Sequence, residues 1–400
     1  MKFLTQTPSL ATVLRCSACG KEYSLSVVNT YSPCCNEPLT VAYDVSKPFF
    51  KEDLAGRENT LWRYFEMLPL KDSRNIISLS EGMTPILSLE NLANKYGLRS
   101  LLLKDESHNP TGSFKARGLS VAVSRAKELG IEACIIATAG NAGGALAAYC
   151  AKAGMPCTVV MPTHTPRIFK DECELYGAEL ILVEGLINDC AKKVQEIKEK
   201  NSCFDLSTFK EPYRLEGKKT MGYEIAEQLH WDLPDAIVYP TGGGTGLIGI
   251  WKAFKEMLKL GWISGPLPKM IAVQAANCAP LVAAYKNPAA WKQNFSPKPS
   301  VASGLAVPYP FAMNLMLKVI YESEGDVVVI SEESIVEGVK EVAENEGLLL
   351  SPEGSATWKA LSSLIGRGVL RRENKILLLN TGSGYKYIDS LTTGQAPLTA

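Results

Sequence analysis

Short apolar runs recur along this chain at intervals that each leave room for one helix. They fall at residues 101–103 (LLL), 134–138 (CIIAT), 157–161 (CTVVM), 180–183 (LILV), 236–239 (AIVY), 270–273 (MIAV), 327–330 (VVVI) and 376–379 (ILLL). Runs this short and this apolar predict strands buried on both faces. Between them, apolar residues at helical spacing predict helices over 90–96, 145–153, 167–176 and 187–198, and one that starts at Ser113. The alternation implies an α/β fold with two doubly wound parallel sheets and a cleft between them, where such folds bind ligands. Residues 46–118 with 210–390 are expected to build the larger layer and residues 119–209 the smaller. A further helix over 61–67, a strand over 86–89 and a frayed final ten residues complete the pattern.

Charge alters this picture little. Forty-two basic residues balance forty-two acidic ones, so net charge gives no reason to expect nucleic acid or an anionic membrane as a partner. No apolar run is long enough to span a bilayer. The opening MKFLTQTPSLATVL lacks the continuous apolar core of a signal peptide. Most of the eleven cysteines, such as Cys134, Cys150 and Cys157, sit in apolar segments and read as free thiols of a cytoplasmic protein. Residues 1–45 differ. Cys16 and Cys19 form a CxxC pair; Cys34 and Cys35 follow fifteen residues later, with Ser32 standing where the partner of Cys35 would be. Four thiolates can close a tetrahedron around zinc. The contracted second pair leaves two readings open, a zinc-ribbon-like unit or a metal-free remnant of one.

Candidate chemistry gathers at strand ends. Residues 101–118 read LLLKDESHNPTGSFKARG, a strand, a polar turn and a helix that Ser113 is placed to cap. Lys115 then lies in the first helical turn. The positive helix end favours a neutral amine there, the form that attacks a carbonyl. Lys115 is therefore predicted to carry pyridoxal phosphate as a Schiff base. Pro240-Thr241-Gly242-Gly243-Gly244-Thr245-Gly246 follows another strand, and its glycines let backbone amides approach a phosphate closely. Residues 244–249 also fit the G-x-G-x-x-G dinucleotide pattern. However, the next strand ends at Gln274 instead of the acid a ribose needs, and no Gly-Lys-Ser/Thr closes a P-loop. Thr138-Ala139-Gly140-Asn141-Ala142 offers amides for a substrate carboxylate and an Asn side chain for a cofactor hydroxyl. Asn380-Thr381-Gly382 presents a neutral hydroxyl for a pyridine nitrogen. All four segments end predicted strands, so one cleft can gather them.

Taken in order, GMTP, KDESHNPTGSFKARG, ATAGNAGGALAAYCAKAG, EPYRLEGKKTMGYEIAEQL, PTGGGTG and NTGSG resemble the fold-type II pyridoxal-phosphate enzymes (tryptophan synthase β-like), most closely the threonine synthases among them. The resemblance spans residues 15 to about 387 and includes the cysteine-bearing start. It implies that Lys115 and Phe114 belong to the cofactor site, that Asn141 bonds the cofactor's phenolic oxygen, and that Gly242, Gly243, Gly244, Thr245 and Gly246 cradle its phosphate. Thr381 would face the ring nitrogen. Thr138, Ala139, Gly140 and Ala142 would receive the substrate carboxylate, and Arg214 the phosphate of homoserine phosphate. Cys16, Cys19, Cys34 and Cys35 would be the zinc ligands. The implied activity is a lyase of threonine biosynthesis acting on a small amino-acid substrate, in a body compatible with a homodimer. A serine/threonine ammonia-lyase is the alternative within the superfamily, and an inactive partner-binding scaffold the alternative outside it. Three departures bear on the substrate. Ala116 replaces an acid in the usual FKDRG, the glycine loop is closer to that of dehydratases and sulfhydrylases, and Phe209 and Glu211 stand where small polar side chains are usual. Glu211 would repel a phosphate if it pointed inward.

Overall fold

The computed structural model describes residues 8–293 and 295–392. Residues 1–7 of the opening stretch and residues 393–400 of the tail expected to fray lie outside them. The chain opens with an antiparallel sheet of β1 (Ala11–Cys16), β2 (Glu22–Ser24) and β3 (Leu39–Tyr43), in the order β2-β1-β3. Its inward residues Leu14, Cys16, Leu39 and Val41 join a core shared with the main body. The helix expected over 61–67 forms as 3-10 turns broken at Tyr64, and all seven side chains are buried. With no solvent face, packing rather than amphipathic periodicity sets their path.

The main body follows the predicted alternation: β4 (Ile86–Ser88), α1 (Glu90–Tyr96), β5 (Ser100–Asp105), α2 (Lys115–Glu128), β6 (Cys134–Ala137), α3 (Asn141–Ala153), β7 (Cys157–Pro162), α4 (Arg167–Leu175), β8 (Glu179–Val183), α5 (Ile187–Lys198), β9 (Phe204–Asp205), α6 (Tyr213–Gln228), β10 (Ala236–Pro240), α7 (Thr245–Lys259), β11 (Lys269–Ala275), α8 (Pro280–Lys286), α9 (Met313–Glu322), β12 (Asp326–Ile330), α10 (Glu332–Glu346), α11 (Pro352–Gly366) and β13 (Lys375–Asn380). Two sheets result, ordered β12-β11-β10-β13-β5-β4 and β8-β7-β6-β9. All pairs are parallel except the short edge pair β4–β5. Helix α3 begins at Asn141, four residues before the expected start. Gly143 and Gly144, read as loop glycines, are helical; they are glycines because of close packing, since a Cβ on them would strike Met161 and Glu172 respectively.

The strand order positions the site. β13, the last strand in sequence, lies between β5 and β10, so the carboxyl ends of β5, β13 and β10 stand side by side. Across the cleft, β6 and β9 are neighbours in the smaller sheet. Five chain segments therefore leave five strand ends toward one place, the usual ligand position in such sheets.

Candidate active site

A cavity of about 330 Å³ occupies that place. It gathers Phe114 and Lys115 from the β5 end, residues 138–142 from β6, Ser207, Thr208, Lys210 and Arg214 from β9, residues 242–246 from β10, and Thr381 from β13. Every residue read as belonging to the cofactor or substrate site lines this one space. Sequence reading missed Ser207, Lys210, Tyr239, Glu353 and Tyr387, which also line it. Glu353 lies in the first turn of α11, just after the capping Ser351. That S-P-E signature marks a helix start but not which cavity it faces.

Lys115 is the first residue of α2, but Ser113 is not its cap. Ser113 is extended (φ −161°, ψ 159°), and its hydroxyl accepts the Lys115 N–H at 3.4 Å. The Lys115 Nζ lies 4.1 Å from the Phe114 ring centroid. Among the described residues it has no hydrogen bond or ion pair. Burial pushes its ammonium down to about 7; nearby Arg214 pushes the same way, and Glu353 opposes them. A substantial share of the amine, about half, is thus available in neutral form near pH 7. Lys218 is a second buried lysine at the same ring, its Nζ 4.2 Å from the centroid and donating to the Phe114 carbonyl.

The residues present fit a phosphate-bearing pyridine cofactor. The amides of residues 242–246 donate to no acceptor among the described residues, and α7 begins at Thr245. Loop and helix end together make an anion cradle. There is no room for side chains on the loop: a Cβ on Gly242 would collide with the Gly304 carbonyl, and one on Gly244 with Met316. Asn141 donates through Nδ2 to Tyr387 Oη at 3.3 Å, but its buried Oδ1 has no partner. An unsatisfied buried acceptor facing a cavity is costly unless a ligand completes it. The Thr381 hydroxyl makes no hydrogen bond among the described residues. Gln274 does not reach this site. Its buried amide bridges the Thr241 carbonyl and the amides of Leu281 and Val282, a structural clamp that excludes a ribose-binding role.

The departures near Arg214 resolve in favour of an anion. Glu211 points away from the cavity, where its carboxylate accepts from the amides of Tyr213 and Arg214 and caps α6. Phe209 is turned into the core. Arg214 is 2% exposed. One nitrogen donates to the Leu206 carbonyl at 2.5 Å, and its Nε has no partner. In the N-terminal unit, the Sγ atoms of Cys16, Cys19, Cys34 and Cys35 lie within 4.8 Å of one another, compact enough to surround one tetrahedral ion. Ser32 supports this cluster by accepting the Cys16 thiol proton at 3.2 Å.

Comparisons with known proteins agree with this geometry. Residues 77–382 match the family model described as pyridoxal-phosphate dependent enzyme. The threonine synthase of Methanocaldococcus jannaschii is 36% identical over 94% of this chain and 93% of its own length. That of Methanosarcina acetivorans is 35% identical over 92% and 91%. Among solved structures, O-ureido-L-serine synthase superposes with a TM-score of 0.66 at 23% identity, over 78% of this chain and 93% of that one. Threonine deaminase isoform 2 of Solanum lycopersicum gives 0.64 at 21%, over 87% and 96%. At those identities the two structures are likenesses of fold. No helix among the described residues is long and apolar enough to cross a membrane.

Proposed function

The chain belongs to the pyridoxal-phosphate dependent enzyme family, and from that premise we propose that it acts as a threonine synthase, converting O-phospho-L-homoserine and water into L-threonine and inorganic phosphate. One observation carries the reading. The cavity offers two places suited to phosphate, the open amides of the glycine loop at the β10 end and Arg214 at the start of α6, and among the described residues its cations Lys115, Lys210 and Arg214 face one lining carboxylate, Glu353.

When bound, pyridoxal phosphate supplies an electron sink for bond changes at the substrate's α-carbon. Residues 242–246 would hold its phosphate, and Asn141 its phenolic oxygen. Thr381 would face its ring nitrogen with a hydroxyl that does not enforce protonation. Lys115 would hold the group covalently, and its amine, whose pKa burial lowers to about 7, would serve as base and acid at the substrate's α-carbon for loss of the γ-phosphate and addition of water at the β-carbon. The amides at the start of α3 suit the substrate carboxylate, and the Arg214 fork suits the departing phosphate. The four clustered thiols would hold one zinc ion with a structural role in the N-terminal unit.

A product assay on the cofactor-loaded protein tests this reading. O-phospho-L-homoserine should yield threonine and phosphate in equal amounts. Absence of phosphate, with 2-oxobutyrate formed from threonine, would make the protein an ammonia-lyase instead.

A further inference from the structure

The loop between β9 and α6 contains an unusual backbone. Phe209 has φ +60°, a conformation that bulky residues rarely adopt and that persists only where surroundings enforce it. Here the enforcement is burial of the Phe209 ring, 2% exposed, in the main core. Turning Phe209 inward leaves its neighbours Thr208 and Lys210 on the cavity wall. A residue whose side chain reads as an obstacle to phosphate thus serves to deliver a lysine.

Lys210 is held there without being neutralised. Its Nζ lies 4.2 Å from the Phe311 ring centroid and 4.7 Å from that of Tyr31. The two rings meet edge to face, 5.6 Å apart. Rings fix a cation by their quadrupoles while leaving its charge unpaired. Among the described residues the Lys210 Nζ has no ion pair and no hydrogen bond; burial lowers the pKa of its ammonium, the Asp205 carboxylate opposes this, and Lys198 adds to it. A dianion entering the cavity would supply the missing partner.

Half of this clamp comes from the N-terminal unit. Tyr31 lies between Cys19 and Cys34 in sequence and directly precedes Ser32, whose hydroxyl is bonded to Cys16. The same hydroxyl accepts from the Glu37 amide at 3.1 Å, and the Glu37 carboxylate accepts from Asn314 at 3.2 Å, on α9 just beyond Phe311. The cysteine unit is therefore fastened to the mouth of the cavity.

We infer that Lys210 is, with Arg214, a binding residue for the substrate's phosphate, and that Tyr31 is a positioning residue through which the N-terminal unit holds Lys210 in place. This rests on the threonine synthase reading. It gives that unit a part in substrate selection, and explains how a site with Phe209 and Glu211 at positions where small polar side chains are usual can still favour a phosphorylated amino acid.

The test uses holoenzyme, whose glycine loop is already filled by the cofactor's own phosphate, and two probes: O-phospho-L-homoserine in steady-state kinetics and inorganic phosphate by calorimetry. Lys210→Met should raise KM about 10- to 100-fold, the range of a charge-assisted hydrogen bond. It should change kcat by less than about threefold, leave cofactor affinity unaltered, and weaken phosphate binding to the same degree as KM. Tyr31→Leu should raise KM by a smaller factor, about three- to tenfold, and Tyr31→Phe should restore it. Phe311→Leu provides the same reading if Tyr31→Leu fails to fold. KM and phosphate affinity of Lys210→Met within twofold of wild type would overturn the inference. A shift in Lys210→Met with none in Tyr31→Leu or Phe311→Leu would overturn the positioning role of the clamp. Wild-type protein that binds phosphate through Lys210 yet releases none from O-phospho-L-homoserine would reject the synthase reading alone.

Discussion

Lys115 owes its predicted reactivity to neighbours that no local motif reveals. Burial is the largest cause of its depressed pKa, with Arg214 second and Glu353 opposing. The consequence is a pH profile. The neutral amine is the reactive form, so the rate at which apoenzyme takes up pyridoxal phosphate should rise with pH through about 7, not through about 10 as for an ordinary lysine. Removing a positive neighbour with Arg214→Met should move that midpoint up. Removing a negative one with Glu353→Gln should move it down. Rapid-mixing absorbance gives the midpoints directly, and a wild-type value near 10 would contradict the account. The residue scale is also where sequence reading is least complete. It finds the residues that act through backbone or through a motif, such as Gly243, Asn141 and Thr381. It misses Glu353 and Tyr387, because each reaches the cavity from a segment with no motif of its own, and Lys210, because nothing in the loop sequence tells which of Phe209, Lys210 and Glu211 faces the cavity.

At the scale of elements, the packing of α2 on α6 fixes Lys115 and Arg214 relative to each other. Two glycines make the approach possible: a Cβ on Gly217 would collide with the Arg117 carbonyl, and one on Gly118 would lie 2.8 Å from that of Arg214. Below this crossing lies a buried ion network. Arg117 donates from Nε to Glu106 at 2.5 Å and from its terminal nitrogens to Glu224 at 2.5 and 2.7 Å. Lys104 pairs with Glu224 at 2.9 Å, and all four side chains are fully buried. Burial works upward on Glu224, yet Arg117 and Lys104 hold its carboxyl at about 2. Removing one member of such a set strands the others. Arg117→Met should therefore destabilise the protein by about 3–5 kcal/mol in urea unfolding, whereas a loss below about 1 kcal/mol would show the network to be dispensable. Element positions were legible in sequence because burial on both faces writes apolar runs, and most boundaries agree within two residues. Misreadings came where packing overrides local signals. Examples are the glycines of α3 and Ser113, which is paired with Gly382 as a β-bridge and stands one residue before the N-cap position that Phe114 fills.

At the scale of the molecule, the site exists because β13 returns from the end of the chain to lie between β5 and β10. Periodicity cannot announce that insertion. The two-sheet architecture and its cleft were readable from alternation, while the order of strands, and hence which loops meet, required the folded chain. The N-terminal unit is a further whole-molecule feature. Its four thiols share one small volume, Tyr43 donates to Glu216 on α6 at 2.8 Å, and Tyr31 reaches the cavity lysine. Elemental analysis of protein purified without chelator should find about one zinc per chain. A clean absence would make the unit a metal-free cap.

The central claim, that five strand ends converge on Lys115 as the lysine that holds the cofactor, has one direct test. Holoenzyme is reduced with borohydride, digested, and the pyridoxyl-bearing peptide sequenced by mass spectrometry. The account predicts a single label on Lys115, even though the Lys218 amine lies at a similar distance from the same Phe114 ring. A label on Lys218, or none on either lysine, would contradict it.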